Sequence, residues 1–268
     1  MCGAIANTRT GYGRLFLECG QCGFIWSHDY PEWLAKRGMG LRGSWGGPER
    51  GGERDDYIVR LLYHHFPEKR IMLFGVGTTL VFRVLLEEGL DVLGVDVSRA
   101  VVQFRREEFG SRFIHTTDLK AVGRKFDIIT ACEVIEHLHR PRQWFRLLNR
   151  CLQDDGVIAG CTNLYPGSGP IEDGQKVGYM SLGGHVAYWS ERSLTNAFAQ
   201  IGLTALFFEI ICPGSSKPDL LYQSLFPNKR LFFATRNTKV IEQLRNLQQQ
   251  SPILPLDTSD YQVPAYRK

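Results

Sequence analysis

The tightest constraint on this chain is a glycine turn followed at a set distance by an acid: Ile71-Met72-Leu73-Phe74-Gly75-Val76-Gly77-Thr78-Thr79, then Asp91-Val92-Leu93-Gly94-Val95-Asp96. An apolar run that breaks at glycines and passes straight into a helical pattern reads as strand, tight turn and helix start of a nucleotide-binding α/β unit. Gly75 and Gly77 carry no Cβ, so the backbone there can approach a ligand closely and present its N–H groups to it. Asp96 closes the next apolar run about 20 residues further on, where a carboxylate can accept hydrogen bonds from both hydroxyls of a ribose. Together Gly75, Gly77 and Asp96 predict an adenosine-bearing ligand.

The alternation of strand and helix continues along the chain. Asp55-Asp56 are expected to cap a helix whose Ile58, Leu61, Leu62 and Phe66 share one face, with Pro67 as its end. A helix from about Leu80 to Glu88 closes at Gly89, and Ser98 caps the helix carrying Val101, Val102 and Phe104. Short strands are expected at Arg112–His115, Phe126–Ala131 and Gly156–Cys161. Between the last two, Pro141 suits the first turn of a helix whose Trp144, Leu147, Leu148, Cys151 and Leu152 fall on one face. Ser190 caps a helix that stops at Gly202. Leu203–Ile211 and Arg230–Thr235 have no helical pattern between them and read as antiparallel neighbours at the sheet edge. The expected fold is therefore α/β and Rossmann-like, a seven-stranded, mostly parallel sheet with an antiparallel edge strand.

The flanks read differently. Cys19-Gly20-Gln21-Cys22-Gly23 has the spacing of a zinc knuckle, and Cys2-Gly3 reads like the second half of an earlier one. Residues 1–34 are thus expected to be zinc-ribbon-like, with Arg14–Glu18 as a strand, Cys2, Cys19 and Cys22 as ligands and His28 the nearest fourth candidate. The alternative is that these cysteines bind nothing. Residues 35–54 hold seven glycines and a proline, a composition that forms no helix or strand interior and predicts a linker or lid. The stretch 241–268, amphipathic and Gln-rich and then Ser251-Pro252-Ile253-Leu254-Pro255, is expected to be a tail with little to bury.

Composition narrows the functional classes. The 32 basic and 28 acidic residues are interspersed, giving a formal charge of +4, so no nucleic-acid partner is expected. No apolar run reaches the roughly 20 residues of a membrane span, and a cytoplasmic location is the default. An odd count of seven cysteines argues against a disulfide framework; Cys132, Cys151, Cys161 and Cys212 sit in or beside apolar runs and read as buried small hydrophobes. Glu133, Glu136 and His137 follow the fourth strand at the C-terminal edge of the sheet, where ligands of open α/β sheets bind. Imidazole is the side chain whose ordinary pKa lies nearest neutrality, which makes His137 the natural general base. Glu136 or Glu133 would orient it. His185 and Tyr188 lie in a loop expected to overlook the acceptor.

The glycine turn, the acid after the second strand and the run Phe126-Asp127-Ile128-Ile129-Thr130-Ala131-Cys132-Glu133-Val134-Ile135-Glu136-His137-Leu138 resemble class I S-adenosylmethionine-dependent methyltransferases. Within that class they resemble the group containing the ubiquinone-biosynthesis O-methyltransferases, as does Gly184-His185-Val186-Ala187-Tyr188-Trp189-Ser190. The resemblance implies a methyltransferase domain over about 55–240, S-adenosylmethionine as cofactor and a small-molecule acceptor, methylated on oxygen first and carbon second. It also implies that Cys132 and Asp118 contact the cofactor, with His115 or Thr116 as alternatives to Asp118, and that Glu133, Glu136 and His137 can hold a divalent ion. Two positions depart from the pattern: Leu73 stands where an acid is usual, and Thr79 where a third glycine is. They motivate the rival expectation of a non-catalytic cofactor-binding or scaffold protein.

Overall fold

The computed structural model describes residues 5–11, 14–28, 52–66, 68–165, 185–211, 228–250 and 253–255. The apolar runs of the central region become the strands β4 (Ile71–Phe74), β5 (Val92–Asp96), β6 (Phe113–His115), β7 (Phe126–Thr130) and β8 (Leu152–Asn163). They are mutually parallel, and β10 (Thr204–Ile211) and β11 (Lys229–Thr235) extend the sheet through an antiparallel pair. The spatial order is β10-β11-β8-β7-β4-β5-β6, with one more strand outside β10. The antiparallel member, β11, lies between β8 and β10 rather than at the rim. Its start therefore meets the end of β8, Lys229 opposite Asn163.

Both faces of the sheet are covered because neighbouring strand residues point to opposite sides and nearly all are apolar. Ile71 and Leu73 face one core with Ile58, Phe82, Val101, Val157 and Phe233. Met72 and Phe74 face the other with Ile129, Phe145, Trp189, Phe198 and Phe232. The first face is covered by α1 (Glu53–Tyr63), α2 (Val81–Glu87) and α3 (Arg99–Phe109). On the second lie α4 (Pro141–Cys151) and, across the segment after β8, α5 (Glu191–Ala199).

Most helix ends form as the caps predict. The Ser98 hydroxyl accepts from Val101 N at 3.3 Å, and Ser190 and Ser193 form a reciprocal capping box. Gly202 stops α5 with φ 76°. The first helix differs. It starts at Glu53 behind Gly52, so Asp55 and Asp56 lie inside its first turn, where Asp56 pairs with Arg60 and Asp55 accepts a hydrogen bond from Thr130.

The N-terminal segment is not a free-standing module. β1 (Ala6–Gly11), β2 (Arg14–Cys19) and β3 (Ile25–Ser27) form an antiparallel sheet whose fourth strand, β9 (Ala187–Tyr188), comes from the chain beyond β8. Cys19, Cys22 and Phe24 belong to the same core as Phe74, and the Phe24 ring lies 4.6 Å from that of Trp189. The knuckle turn does form, with Gly23 N donating to Cys19 O at 2.8 Å. Yet Cys19 and Cys22 are buried, and among the described residues no third His, Cys, Asp or Glu joins them in a metal-sized cluster. Cys2, Cys212 and most of the glycine-rich stretch 35–54 lie outside the described residues.

The expected tail also folds further than its composition suggested. Helix α6 (Thr238–Gln250) crosses the anticipated boundary at 240 and buries Val240 and Leu244 against the sheet. Ile253–Pro255 then forms β12, which pairs parallel to β10 and makes the sheet eight-stranded. An unpaired strand edge offers backbone donors and acceptors that even a short apolar segment can satisfy.

Candidate active site at the C-terminal edge

At the C-terminal ends of the parallel strands the chain turns from β4 through Gly75 and Gly77, with φ of 73° and 59°. These left-handed angles are the reason the turn needs glycine. A Cβ on Gly75 would stand 2.5 Å from a Val134 methyl, whereas one on Gly77 would point into open space. The turn is closed by Gly75 N on Val95 O at 2.7 Å and by the Thr79 hydroxyl on Val76 O at 3.0 Å. Thr79, at the position of the missing glycine, thus contributes a turn-closing hydrogen bond. Leu73 is wholly buried in the core, so its side chain takes no part at the turn.

Asp96 ends β5 beside this turn. One carboxylate oxygen accepts from Gly77 N at 3.0 Å and the other from Ser98 N at 2.7 Å. Burial raises its pKa, and the backbone N–H groups of Ser98, Gly77 and Val97 oppose that rise. The carboxylate is fixed in direction while each oxygen keeps a lone pair for a ribose hydroxyl. The open side of Gly77 and this oriented acid fit an adenosine-bearing cofactor.

Asp118 does not join them. It is half exposed on a 3-10 turn (Thr116–Ala121), with its carboxylate 3.2 Å from Arg106 Nη2. His115, at the end of β6, lies closer to the acid: its Nε2 is 2.9 Å from Val97 O, the carbonyl of the residue after Asp96.

After β7 the chain enters the run from Cys132 to His137. Cys132 is half-buried, and its thiol is hydrogen-bonded to that of Cys161 on β8; burial, then that bond, pushes its pKa well up. Glu133 has φ 54°, a left-handed angle rare outside glycine, which re-aims its side chain across the edge. One of its oxygens accepts from Arg54 Nη1 at 2.9 Å, from Lys229 Nζ and from the Cys161 thiol at 3.2 Å. Burial works against its charge, but Lys229 and Arg54 outweigh it and hold the carboxyl far below the usual range. Glu133 is therefore a fixed anion held between two cations.

Glu136 is the opposite case. It has no exposed surface, and burial together with the Glu133 charge pushes its pKa up to about 8. Thr162 Oγ1 donates to one oxygen at 3.2 Å, and Oε1 is buried with no hydrogen-bond partner. The His137 ring lies 4.8 Å from that of His185, and one ligand atom from each of Glu136, His137 and His185 falls within 4.8 Å of the others. The structure thus brings Glu136 and His137 together with His185, while Glu133 neighbours Glu136 without joining that cluster.

Tyr188 is corrected. Expected to overlook the acceptor, it is fully buried, its hydroxyl donating to His185 O at 3.0 Å and accepting from Arg14 Nη1 at 3.2 Å. Arg14 Nη2 also donates to His185 O at 2.9 Å, so the N-terminal sheet holds the His185 backbone. Arg14, Arg54 and Lys229 were not anticipated. Each comes from a segment remote in sequence from the residue it touches, and no spacing rule reports such a contact.

The pattern of a family described as a methyltransferase domain matches residues 49–206, more than half of the chain. Among solved structures, a chain from the Haloferax volcanii complex of the Trm112 methyltransferase activator with a putative methyltransferase is similar. It has a TM-score of 0.53 and 15% identity, over 76% of this chain and 96% of that one. An S-adenosylmethionine-dependent methyltransferase from Mesorhizobium loti matches at 0.48 and 19%, over 66% and 96%. Magnesium protoporphyrin IX methyltransferase from Synechocystis PCC 6803 matches at 0.44 and 19%, over 68% and 81%.

Proposed function

The chain belongs to the methyltransferase domain family and is an S-adenosylmethionine-dependent methyltransferase, and from that premise we propose that it methylates a hydroxyl oxygen of a small-molecule acceptor, with a carbon acid as the second candidate. When bound, the cofactor supplies a methyl group on a positively charged sulfur. Gly75 and Gly77 seat it, and Asp96 takes its ribose hydroxyls. His137 would take the proton of the acceptor hydroxyl, leaving that oxygen as the nucleophile for the methyl group. Neutral at pH 7, Glu136 adds no negative charge that would compete for that proton, and His185 walls the other side.

The observation that carries this reading is the Glu136, His137 and His185 cluster, two residues beyond Val134, which packs on Gly75 of the cofactor turn. Alternatively, the orphaned Glu136 Oε1 and the two imidazoles fit a divalent ion, which would hold Glu136 ionised, occupy the His137 lone pair in place of its role as base, and polarise the acceptor oxygen. Glu133 is not among its ligands in this reading, because its carboxylate is already held by Arg54 and Lys229.

The test is transfer of labelled methyl to a panel of phenolic, quinol and sugar acceptors by wild type and His137→Ala. Loss of about 10²–10⁴-fold in rate with unchanged S-adenosylhomocysteine affinity is expected of a general base. Undiminished transfer by His137→Ala would remove the base assignment. Binding of cofactor without transfer to any acceptor would favour the small set of non-catalytic readings that Leu73 and Thr79 motivate.

A further inference from the structure

Arg105 has no role in the chemistry above, yet it is among the most deeply buried cations of the described residues, 4% exposed on α3. A guanidinium carries five N–H donors and is costly to bury unless they are used. Its Nη2 donates to Thr79 O at 2.6 Å and its Nε to Gly77 O at 3.4 Å; the nearest carboxylate in its ion pairs, Glu108, stands 3.8 Å off. The donors are thus directed at the carbonyls of the glycine turn.

The consequence follows from the planar trans peptide. Its C=O and N–H point in opposite directions, so fixing the Gly77 carbonyl toward α3 turns the Thr78 N–H the other way. Gly77 is then held on both sides, its own N–H by Asp96 Oδ2 at 3.0 Å and its C=O by Arg105. The same helix reaches Asp96 a second time, because its cap residue Ser98 donates to Oδ1 at 2.7 Å. Ser98 and Arg105 are seven residues apart, about two helical turns, and so lie on one face of α3. That face grips the turn and the acid together.

We propose that Arg105 is a positioning residue of the cofactor site: through the carbonyls of Gly77 and Thr79 it holds the glycine turn, and through Gly77 the Asp96 carboxylate, in the geometry that receives S-adenosylmethionine. The role is of most value in a turn whose third glycine is replaced by Thr79, since the carbonyl it grips most tightly is that of Thr79. The inference rests on the cofactor assignment and is independent of the acceptor.

The test is calorimetric titration of S-adenosylhomocysteine into wild type, Arg105→Met, Arg105→Lys and Val102→Ala, each with its thermal midpoint. Val102 is buried on the same helix and, being apolar, gives the turn no side-chain hydrogen bond, so it reports what loosening the packing of α3 does. The expected result is a tenfold or larger loss of affinity in Arg105→Met, part of it regained in Arg105→Lys, which keeps a charge able to reach one carbonyl. Val102→Ala should lower the midpoint and leave affinity within twofold. Equal affinity of Arg105→Met and wild type would overturn the proposal, as would a loss in Val102→Ala matching that in Arg105→Met. Failure of wild type itself to bind would instead overturn the cofactor assignment.

Discussion

Two carboxylates three residues apart end with opposite protonation, and the cause is what each faces. Glu133 meets Arg54 and Lys229; Glu136 meets Thr162 and the Glu133 charge, with Oε1 buried and without a hydrogen-bond partner. An acid whose folded pKa is raised, here to about 8 from 4.5, binds more protons folded than unfolded between those values. Its contribution is therefore most favourable below about pH 4.5 and is lost as pH rises toward 8, by roughly a few kcal/mol. Glu136→Gln keeps the shape and removes the ionisation. In metal-free buffer, its thermal midpoint should exceed that of wild type at pH 9 and the difference should shrink toward pH 5; a constant difference across that range would refute the buried neutral acid. At the glycine turn, Gly75→Ala should cost about 2 kcal/mol or more, because the new Cβ overlaps Val134 at 2.5 Å. Gly77→Ala should cost about 1 kcal/mol, the left-handed backbone alone. Denaturant unfolding measures both, and equal losses would mean that Val134 gives way.

At the scale of elements, β9 has a role that its two residues conceal. It joins β3 of the N-terminal sheet at Ile25 and Trp26, and Arg14 of β2 fixes the carbonyl of His185 just before it. The His185 backbone is thus held by a segment more than 150 residues away in sequence, 171 for Arg14 to His185. Arg14→Ala should lower stability by about 3–6 kcal/mol, since each hydrogen bond to a charged group is worth about 1.5–3 kcal/mol and those to the Tyr188 hydroxyl and the His185 carbonyl are both lost. It should reduce methyl transfer while S-adenosylhomocysteine affinity stays at the wild-type value, since the cofactor turn is carried by β4 and β5. A parallel loss of affinity would show that the N-terminal sheet supports the whole site. The parallel strands, by contrast, were legible as apolar runs punctuated by glycine and proline. So were the glycine turn and the placing of Asp96 beside it, because their spacing is local. Where the Asp118 and Tyr188 side chains lie was not legible, because sequence position gives the edge of the sheet but not the direction of a side chain there. Arg106 draws Asp118 outward, and the core takes the Tyr188 ring.

For the whole molecule, the composition of the ends suggested appendages, a zinc-ribbon-like segment and a loose tail. Packing joins both to the central sheet. Cys19, Cys22 and Phe24 share a core with the strands β4 and β7, and Val240 and Leu244 close the other face. Sequence could not announce this for the N-terminal segment, since Phe24 meets Trp189 from far along the chain and the pattern of a short strand is the same whether it folds alone or onto a neighbour. Cores that are continuous unfold together, because exposing one side removes the burial that holds the other. Calorimetry of the full chain should therefore give one transition, with calorimetric and van't Hoff enthalpies in agreement. A strong chelator should leave that transition in place if the buried thiols of Cys19 and Cys22 act as core residues. A separate, chelator-sensitive transition would show that residues 1–34 fold as a metal-dependent unit of their own. The same experiment on Phe24→Ala extends the argument. The ring packs on Trp189, beside the cap of α5, so its removal should cost about 3–5 kcal/mol and lower the single midpoint without splitting it. Splitting in that variant would place the boundary between two cooperative units at the Phe24 and Trp189 contact.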